Sequence, residues 1–298
     1  MKKYLLIYSL ILVAVYVLLS ALGRDSNYII ERKIWKIYQE QKDIARDPAV
    51  IPDNVFERVI HEYKQIIEKY SYSSHAPDLY IRLGEVHALR RDFAAARELF
   101  QSLAGLYPEK KDLLAEAMFK VGETYEAENN WPEAERVYQQ VIREYPLTDV
   151  GLKTSIYIAN YYRGQNDFQG TMTAYEAAMS RYKDIAVQFQ DTQVGLSALR
   201  HLATCYLDQK RWEEAIAVLG QVIERYAGSS GLNIKDTDMV IKTINIVSAY
   251  QIKDYDVAIG LYQDILKRNP GHPLRKYLLK VIDAFNQLKE KGVQVSER

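Results

Sequence analysis

The stretch around His61 comes nearest, in this chain, to a catalytic motif. His61-Glu62 is followed by Gln65, at the position where the helical motif of zinc proteases places its second histidine. Two imidazole nitrogens on one helix face bind the metal in that motif, so glutamine at the second position removes the zinc site. The other four histidines are dispersed along the chain, at His75, His87, His201 and His272. The sequence therefore predicts no metal and no cofactor.

Nucleophiles and phosphate-binding loops give no stronger signal. Gly228 and Gly231 lack the lysine and the preceding strand of a phosphate loop, and no serine lies in a nucleophile-elbow pattern. The single cysteine, Cys205, lies beside the packing residue Tyr206, which favours a small buried apolar residue over a reactive thiol. Catalytic triads can assemble from distant residues. The prediction that this protein is not an enzyme therefore rests also on the repeated architecture of the chain.

The composition is typical of a folded protein with no preference for nucleic acid. Of the 298 residues, 48% are hydrophobic and 26% are charged. There are 39 basic and 39 acidic residues, so no net field attracts a polyanion, and we expect no nucleic-acid partner. The 24 tyrosines outnumber the 7 phenylalanines, which suits thin two-layer helical walls, because a tyrosine ring packs while its hydroxyl stays hydrated.

The elements that would position functional residues come from a degenerate repeat. One repeat shows Gly84, Ala96, Phe100 and Pro108, and 38 residues later the next shows Gly122, Ala134, Tyr138 and Pro146. A fixed period of this size indicates helix pairs that stack on their neighbours. The small residues allow the two helices of a pair to approach closely, and proline ends the second helix. The aromatic ring is expected to fill the gap between one pair and the next.

Five such helix pairs are predicted. They cover residues 77–108, 111–146, 148–183, 192–227 and 235–270. The period lengthens to 44 in the later repeats, and the extra residues fall at 184–191 and 228–236, as longer helices or loops. A hairpin with helices at 28–45 and 54–70 precedes the pairs. A last helix at 273–289 has one apolar and one polar side, as a terminal cap requires.

This pattern resembles the tetratricopeptide repeat (TPR) family over about residues 77–270. The likeness is closest in the first two repeats; later, Thr171 and Leu219 replace the usual residues and the third and fourth pairs lack the closing proline. The resemblance implies an all-α fold, a right-handed α-solenoid of helix hairpins. It also implies a non-enzymatic scaffold that mediates protein–protein interaction. The partner would be a protein or an extended peptide segment, and no small-molecule ligand is expected.

The N-terminus carries a targeting or anchoring segment. An apolar run from Tyr4 to Leu22 follows two lysines; it is long for a secretion signal and just long enough to span a bilayer. Lys2 and Lys3 favour export of the domain that follows, whereas basic residues after the run favour the reverse. These residues are Arg24, Arg32, Lys33 and Lys36. We expect a periplasmic domain, either anchored in the inner membrane or released by signal cleavage.

Longer repeats behind an export signal are similar to the TPR proteins of the Gram-negative envelope, such as the outer-membrane assembly lipoprotein and the Tol-Pal coordinator. The chain departs from the first because no cysteine for lipoprotein processing follows the apolar run. The resemblance implies a scaffold in a bacterial cell-envelope assembly. Two alternatives are a cytoplasm-facing, membrane-anchored adaptor and a regulatory, non-catalytic subunit of an envelope enzyme.

The predicted organisation has five parts. They are a signal peptide or membrane anchor (1–23), an N-terminal capping hairpin (24–75), five TPR-like repeats (76–270), a C-terminal capping helix (271–291) and a flexible tail (292–298). The helix at 28–45 is interpreted as part of the cap. The alternative is an interfacial helix with Trp35 and Tyr38 near lipid headgroups.

In the TPR family the first helix of each pair lines the concave face, and the register places candidate binding residues there. They are Glu85; Phe119, Glu123 and Glu126; Lys153, Asn160 and Arg163; Arg200 and Thr204; and Ile244, Ser248 and Gln251. Such a groove is acidic at its N-terminal end and basic in its middle. Asn160 would grip a peptide backbone bidentately, Arg163 or Arg200 a carboxylate, and Phe119 a side chain. The alternative is a solvated helix face of mixed charge.

Overall fold

The structure is a computed structural model that describes residues 27–228 and 233–291, together with Leu12, Val13 and Val15. The predicted signal or anchor segment lies outside the described residues apart from those three, as does the predicted tail at 292–298. In the described part of the chain, no helix combines the length and the apolar character needed to cross a bilayer. The chain forms two compact units, divided between Tyr138 and Gln139.

The described residues contain thirteen α-helices and no strand, which confirms the predicted all-α class. The first six are α1 (Asn27–Arg46), α2 (Asp53–Lys69), α3 (Ala76–Leu89), α4 (Phe93–Leu106), α5 (Lys111–Ala127) and α6 (Trp131–Glu144), in which the division between units falls. The second unit continues with α7 (Asp149–Gly164), α8 (Phe168–Gln188), α9 (Gln193–Asp208), α10 (Trp212–Tyr226), α11 (Ile234–Ile246), α12 (Tyr255–Arg268) and α13 (Arg275–Glu290). A short 3-10 turn, Pro48–Val50, joins α1 to α2.

The predicted helix pairs are present as α3–α4, α5–α6, α7–α8, α9–α10 and α11–α12. The tight turn inside each pair contains one residue in the left-handed region, with φ between 58° and 68°: Arg91, Asn129, Asn166, Lys210 and Lys253. The following N–H closes the turn on a carbonyl five residues back, as Asp92 does on His87 at 2.8 Å. The turns therefore form without the glycine that usually occupies this position.

The fifth turn differs because a π-helical segment, Val247–Ile252, follows α11. Here the Asp254 N–H donates to the Ser248 carbonyl, six residues back, at 2.9 Å. A π-helical turn holds one more residue than an α-helical turn. The widened π-helical segment therefore lies at the end of the first helix of the α11–α12 pair, where the bond that closes the turn spans six residues and not five.

Close packing inside the first two pairs depends on glycine. A Cβ added to Gly84 would lie 2.4 Å from the Phe100 ring, and one added to Gly122 would lie 2.3 Å from the Tyr138 ring. The predicted close approach is therefore present. Each ring packs on the glycine of its own pair. Phe100 also lines a pocket with Lys120 and Thr124 of the next pair, in keeping with its expected place between successive pairs.

Hydrogen bonds that involve tyrosine hydroxyls stabilise the α7–α8 and α9–α10 pairs of the second unit. The Tyr182 hydroxyl donates to the Leu152 carbonyl, and the Asp191 N–H donates to the Tyr226 hydroxyl oxygen at 3.0 Å. Both tyrosines lie near the C-terminal ends of second helices, and both contact the chain where a first helix begins. The extra residues at 184–191 extend α8 to Gln188, so the longer period lengthens a helix there.

Each unit has its own apolar core. In the first, Ile30 and Ile37 of α1 pack with Phe56 and Tyr63 of α2 and with Leu83 of α3. In the second, one cluster extends from Leu152 to Phe285. It includes Leu278 and Ile282 of α13, the helix predicted to be the C-terminal cap.

The Gly84–Phe100 contact gives a direct stability prediction. We expect Gly84→Ala to lower the free energy of unfolding by about 1–3 kcal/mol, because the new methyl group overlaps the buried Phe100 ring and forces it to shift. Gly105→Ala is the matched control in the same unit, since nothing lies within 4 Å of an added Cβ. It should raise stability by about 0.5–1 kcal/mol by restricting the unfolded chain. Urea unfolding measures both; equal effects of the two variants would refute the contact's role.

Candidate functional site

A pocket of about 410 Å³ lies in the first unit among α1, α3, α4 and α5, and we call it the α1–α5 pocket. It is lined by Tyr38, Gln41, Lys42, Ala45, Glu85, Ala88, Leu89, Phe93, Phe100, Lys120, Glu123, Thr124 and Ala127. Ile37 and Ile44 are buried on α1, so the residues one position later, Tyr38 and Ala45, turn towards the pocket. The burial of α1 on its neighbours therefore supplies one wall.

One side of the α1–α5 pocket is apolar. Ala88, Leu89 and Phe93 are partly buried and Phe100 is almost fully buried, while the small residues Ala45 and Ala127 are exposed. The ring of Phe100 can reach this position only because Gly84 has no side chain in its path. The result is a depression that a small or medium apolar side chain would fill.

The other side carries a continuous hydrogen-bonded network. The Tyr63 hydroxyl donates to Gln41 Oε1 at 2.6 Å, and Gln41 Nε2 donates to Glu85 Oε2 at 3.1 Å. Lys120 Nζ lies 3.0 Å from Glu85 Oε1 and 3.0 Å from Glu123 Oε2. Glu85 and Glu123, two of the residues predicted from the sequence, thus meet at one lysine.

The lysine in this network is held as a cation. Burial opposes the charged form of Lys120, but attraction to Glu123 and Glu85 outweighs it and raises the pKa of the Lys120 ammonium. The network alone has one excess negative charge, but Lys42 also lines the pocket, so the two lysines and two glutamates of the lining balance. The acidic N-terminal end that the sequence predicts is therefore neutralised at this pocket.

The side chains of Phe119 and Glu126 contact α6, whereas those of Glu85 and Glu123 line the pocket. The Phe119 ring centroid lies 4.9 Å from that of Tyr138, and Glu126 Oε2 accepts a hydrogen bond from the Tyr138 hydroxyl at 2.9 Å. Both residues are partly buried against α6 and neither lines the α1–α5 pocket. Their contacts hold the two helices of the second pair together. Because the Phe119 ring packs on Tyr138, less of its surface is open to the partner side chain that it was predicted to anchor.

In the second unit, the predicted residues share the exposed faces of α7 and α9. They are Lys153, Asn160, Arg163, Arg200 and Thr204. Arg163 lies 3.6 Å from Asp208, and Arg200 lies 3.9 Å from Asp236. The Thr204 hydroxyl donates to the Arg200 carbonyl within its own helix. Each arginine thus has an acidic neighbour, and the face is mixed in charge.

Tyr175 of α8, which carries no motif that would have marked it in the sequence, organises this face. Its hydroxyl lies 3.0 Å from Asn160 Oδ1 and 2.9 Å from Asp208 Oδ2. Burial and the Asp208 carboxylate raise the pKa of the Tyr175 phenol, so it remains a hydrogen-bond donor. The hydroxyl has one hydrogen for two acceptors, so Asn160 Oδ1 shares it with the Asp208 carboxylate and keeps a free lone pair, and the bidentate grip of Asn160 stays a prediction.

The prediction of which side of α11 is exposed was wrong. Ile244 and Ser248, predicted to face the groove, are fully buried. The reason is that α11 turns Ile241 and Ile244 into the core of the second unit. The exposed large apolar residues of α11 are instead Ile234, Met239 and Ile246, and Tyr250 is exposed on the π-helical segment that follows. Gln251, the third residue predicted to face the groove here, is exposed.

The histidines and the cysteine that could take part in chemistry make packing or hydrogen-bonding contacts within the fold. His61 is exposed and hydrogen bonds with Gln65 at 2.9 Å. Cys205 is fully buried, and burial raises the pKa of its thiol to about 12. His201 stacks on Tyr182, and burial lowers the pKa of its imidazole. Across the described residues, no group of three histidine, cysteine or acidic side chains could hold a metal ion.

Two tetratricopeptide repeat family models match the chain. One matches residues 116–148 and again residues 197–229, and the other matches residues 56–111. The chain carries tetratricopeptide repeats. The matched segments 116–148 and 197–229 cover α6 and α10 and most of α5 and α9. TPR proteins are generally non-catalytic scaffolds for protein–protein interaction. No curated protein sequence matches the chain.

Several solved structures are similar to the chain. BtubC (BKLC) from P. vanneervenii shares 13% sequence identity, with 92% of this chain and 96% of that chain covered and a TM-score of 0.41. The TPR2AB domain of yeast Sti1, in its pHSP90 complex, shares 10%, with coverages of 88% and 100% and a TM-score of 0.32. A chain of the APC/C hetero-tetramer Cut9–Hcn1 shares 13%, with coverages of 87% and 54% and a TM-score of 0.30.

The Glu85–Lys120–Glu123 cluster predicts a pH-dependent loss of stability. We expect Lys120→Met to lower the free energy of unfolding by about 1–3 kcal/mol at neutral pH, because two carboxylates then remain close together without their cation. Their repulsion raises the carboxyl pKa values in the folded variant above those in the unfolded chain. Protonation at acidic pH relieves the repulsion, so the deficit relative to the wild type should shrink as the pH falls through the carboxyl range.

Urea unfolding at neutral and acidic pH measures this deficit. Lys153→Met is the matched control, since Lys153 is exposed on α7, and it should change stability by less than about 0.5 kcal/mol. A deficit of the same size at both pH values would show that Lys120 acts through packing alone.

Proposed function

We propose that this TPR protein is a non-enzymatic scaffold that holds a protein partner by seating one of its segments, extended or helical, in the α1–α5 pocket. The pocket itself is the observation that supports this proposal most strongly. It combines an apolar wall with a polar edge whose side chains are already fixed by hydrogen bonds. Preformed groups of this kind lose little side-chain entropy when a partner binds.

The chemistry of the pocket suggests what the segment carries. An apolar side chain would pack on Ala88, Leu89 and Phe93, and an amide or basic group beside it would meet Glu123. Glu123 is the more exposed of the two carboxylates at Lys120, so it can accept a further donor without breaking the network. The exposed mixed-charge face of α7 and α9 offers the second unit a surface of its own.

We further propose that the scaffold works in a bacterial cell-envelope assembly. This rests on the apolar run at residues 4–22, with paired lysines before it, and on the likeness of the long repeats to envelope TPR proteins. The domain is then periplasmic, either anchored in the inner membrane or free after signal cleavage. A cytoplasm-facing adaptor is the alternative that the basic residues 24–36 favour; a regulatory subunit of an envelope enzyme is another.

The pocket proposal predicts a charge-specific loss of partner. We expect full-length Glu123→Lys, crosslinked in its own cells and affinity-purified, to recover at least about tenfold less of the partner than the wild type does, because the substitution reverses the charge at the pocket edge. Glu98→Lys is the matched control on the exposed side of α4 and should recover the wild-type amount. Equal recovery from both variants would place the binding surface elsewhere.

The envelope proposal has a separate test in protease-treated spheroplasts, probed with an antibody against the C-terminus. Digestion of the repeats in intact spheroplasts is expected, because the periplasmic face is then open to the protease. Protection until lysis would instead establish the cytoplasm-facing adaptor.

A further inference from the structure

The outward face of α1 has an unusual composition at its N-terminal end. Tyr28 is 69% exposed and Trp35 is 63% exposed, and Arg32 is exposed between them. The spacing of four and then three residues places all three on one helical stripe. Two exposed aromatic residues and a basic residue on one stripe form a patch, and patches of exposed apolar surface mark interaction sites more often than single exposed residues do. The stripe changes beyond this point to the polar residues Gln39 and Asp43.

The two interpretations of α1, as part of the cap and as an interfacial helix, apply to opposite faces of the helix. The inward face carries Ile30, Ile37 and Ile44, which are buried in the core of the first unit. Tyr38 belongs with the α1–α5 pocket, and the Arg82 guanidinium lies 4.1 Å from its ring centroid. Trp35 alone of the predicted interfacial pair therefore faces outward.

A second pocket adjoins this stripe, between α1 and α2. It has a volume of about 330 Å³, and three lysines line it, Lys33, Lys36 and Lys69. Glu62 is the one acidic residue in its lining, so the three lysines leave the pocket with a net positive charge. Lysine ammonium groups around a cleft of this size suit a phosphate group.

Tyr70 supplies an independent observation at the same pocket. It lines the same pocket and is only 1% exposed. Its hydroxyl is buried and has no hydrogen-bond partner within the described ranges of the chain. A buried hydroxyl without a partner destabilises the fold, and a phosphate oxygen would relieve this by accepting its hydrogen bond.

The position of α1 in the chain identifies where such phosphates would be. The apolar run ends at Leu22 and α1 begins at Asn27. Five Cα steps reach at most about 18 Å, so a membrane anchor would hold the start of α1 close to the bilayer surface. Tyrosine and tryptophan concentrate at that depth, and lysines there attract anionic lipids.

We propose that the outer face of α1 lies on the membrane surface and binds the phosphate groups of anionic phospholipids. Trp35 and Tyr28 enter the headgroup region, and Lys33, Lys36 and Lys69, with the Tyr70 hydroxyl, hold a headgroup phosphate. This face serves the membrane while the opposite face of the same helix caps the repeats. The inference rests on the anchored form of the proposed function, and it concerns a surface separate from the α1–α5 pocket.

The test uses the full-length protein reconstituted in vesicles of phosphatidylcholine alone or of equimolar phosphatidylcholine and phosphatidylglycerol. Lysines are acetylated briefly, and mass spectrometry gives the rate at each one. We expect Lys33, Lys36 and Lys69 to react about fivefold more slowly in the anionic vesicles, an effect that high salt removes. Lys153 and Lys276, exposed on other helices, are the internal controls and should react equally in both.

Vesicle flotation separates this inference from the anchor on which it rests. Flotation with both compositions but equal lysine rates would retain the anchor and overturn the headgroup site. Failure to float with phosphatidylcholine, with lysine protection in anionic vesicles, would remove the anchor and retain the site. Equal protection by inorganic phosphate with phosphatidylcholine vesicles would overturn the membrane proposal, because it would show a site for free anions.

Tyr70→Phe distinguishes a ligand-binding hydroxyl from a structural one. Without anionic lipid, the variant should unfold at a higher temperature than the wild type, because a buried hydroxyl without a partner is removed. With anionic lipid, the protection of Lys33 and Lys36 should fall. A variant that is more stable and keeps full lysine protection would show that Tyr70 takes no part in binding.

Discussion

In the first two TPR pairs, the second helix can close on the first only where a glycine faces an aromatic ring. At Gly84 and Gly122 an added methyl group would overlap the Phe100 and Tyr138 rings by more than an ångström. The rest of the first unit depends on this contact. It brings Phe100 to the α1–α5 pocket, and it directs Tyr138 towards Phe119 and Glu126. The same packing constraint thus builds the repeat and shapes the binding surface.

Tyrosine hydroxyls extend this constraint from packing to hydrogen bonding. Tyr63 begins the network that fixes Gln41 and Glu85, and Tyr175 lies between Asn160 and Asp208. In each case the ring is buried in a core while the hydroxyl reaches polar residues near the surface. A phenylalanine at either position would keep the packing and lose the positioning. The abundance of tyrosine is therefore explained by two needs of this fold, a ring that packs in the core and a hydroxyl that positions polar side chains near the surface.

The sequence allowed the repeats to be predicted well because their local signals agree. Glycine, alanine, aromatic residue and proline recur at one spacing, and the helix pairs form where that spacing places them. Parts of the site could not be derived in this way. The α1–α5 pocket needs α1, which lies outside the repeat, and the side on which α1 packs is a tertiary property. The exposed side of α11 was misjudged because apolar residues occur on both of its sides.

The sequence carries one further signal, at the starts of two first helices. Thr148-Asp-Val-Gly-Leu and Thr192-Gln-Val-Gly-Leu are nearly the same five residues, 44 positions apart. Both threonines cap a first helix by accepting the N–H of the glycine three residues later. The glycine is needed because a Cβ at Gly151 or Gly195 would collide with a backbone carbonyl. This motif would have fixed the starts of α7 and α9.

The central claim is that the α1–α5 pocket is the surface on which a protein partner binds. In-cell photocrosslinking tests it most directly, with a photoreactive benzoylphenylalanine placed at Ala88 or Ala127 in the pocket and at exposed Ala94 on α4 as control. The account predicts an adduct with the same protein from both pocket positions and none from Ala94. Adducts that are absent from the pocket, or the same from all three positions, would contradict it.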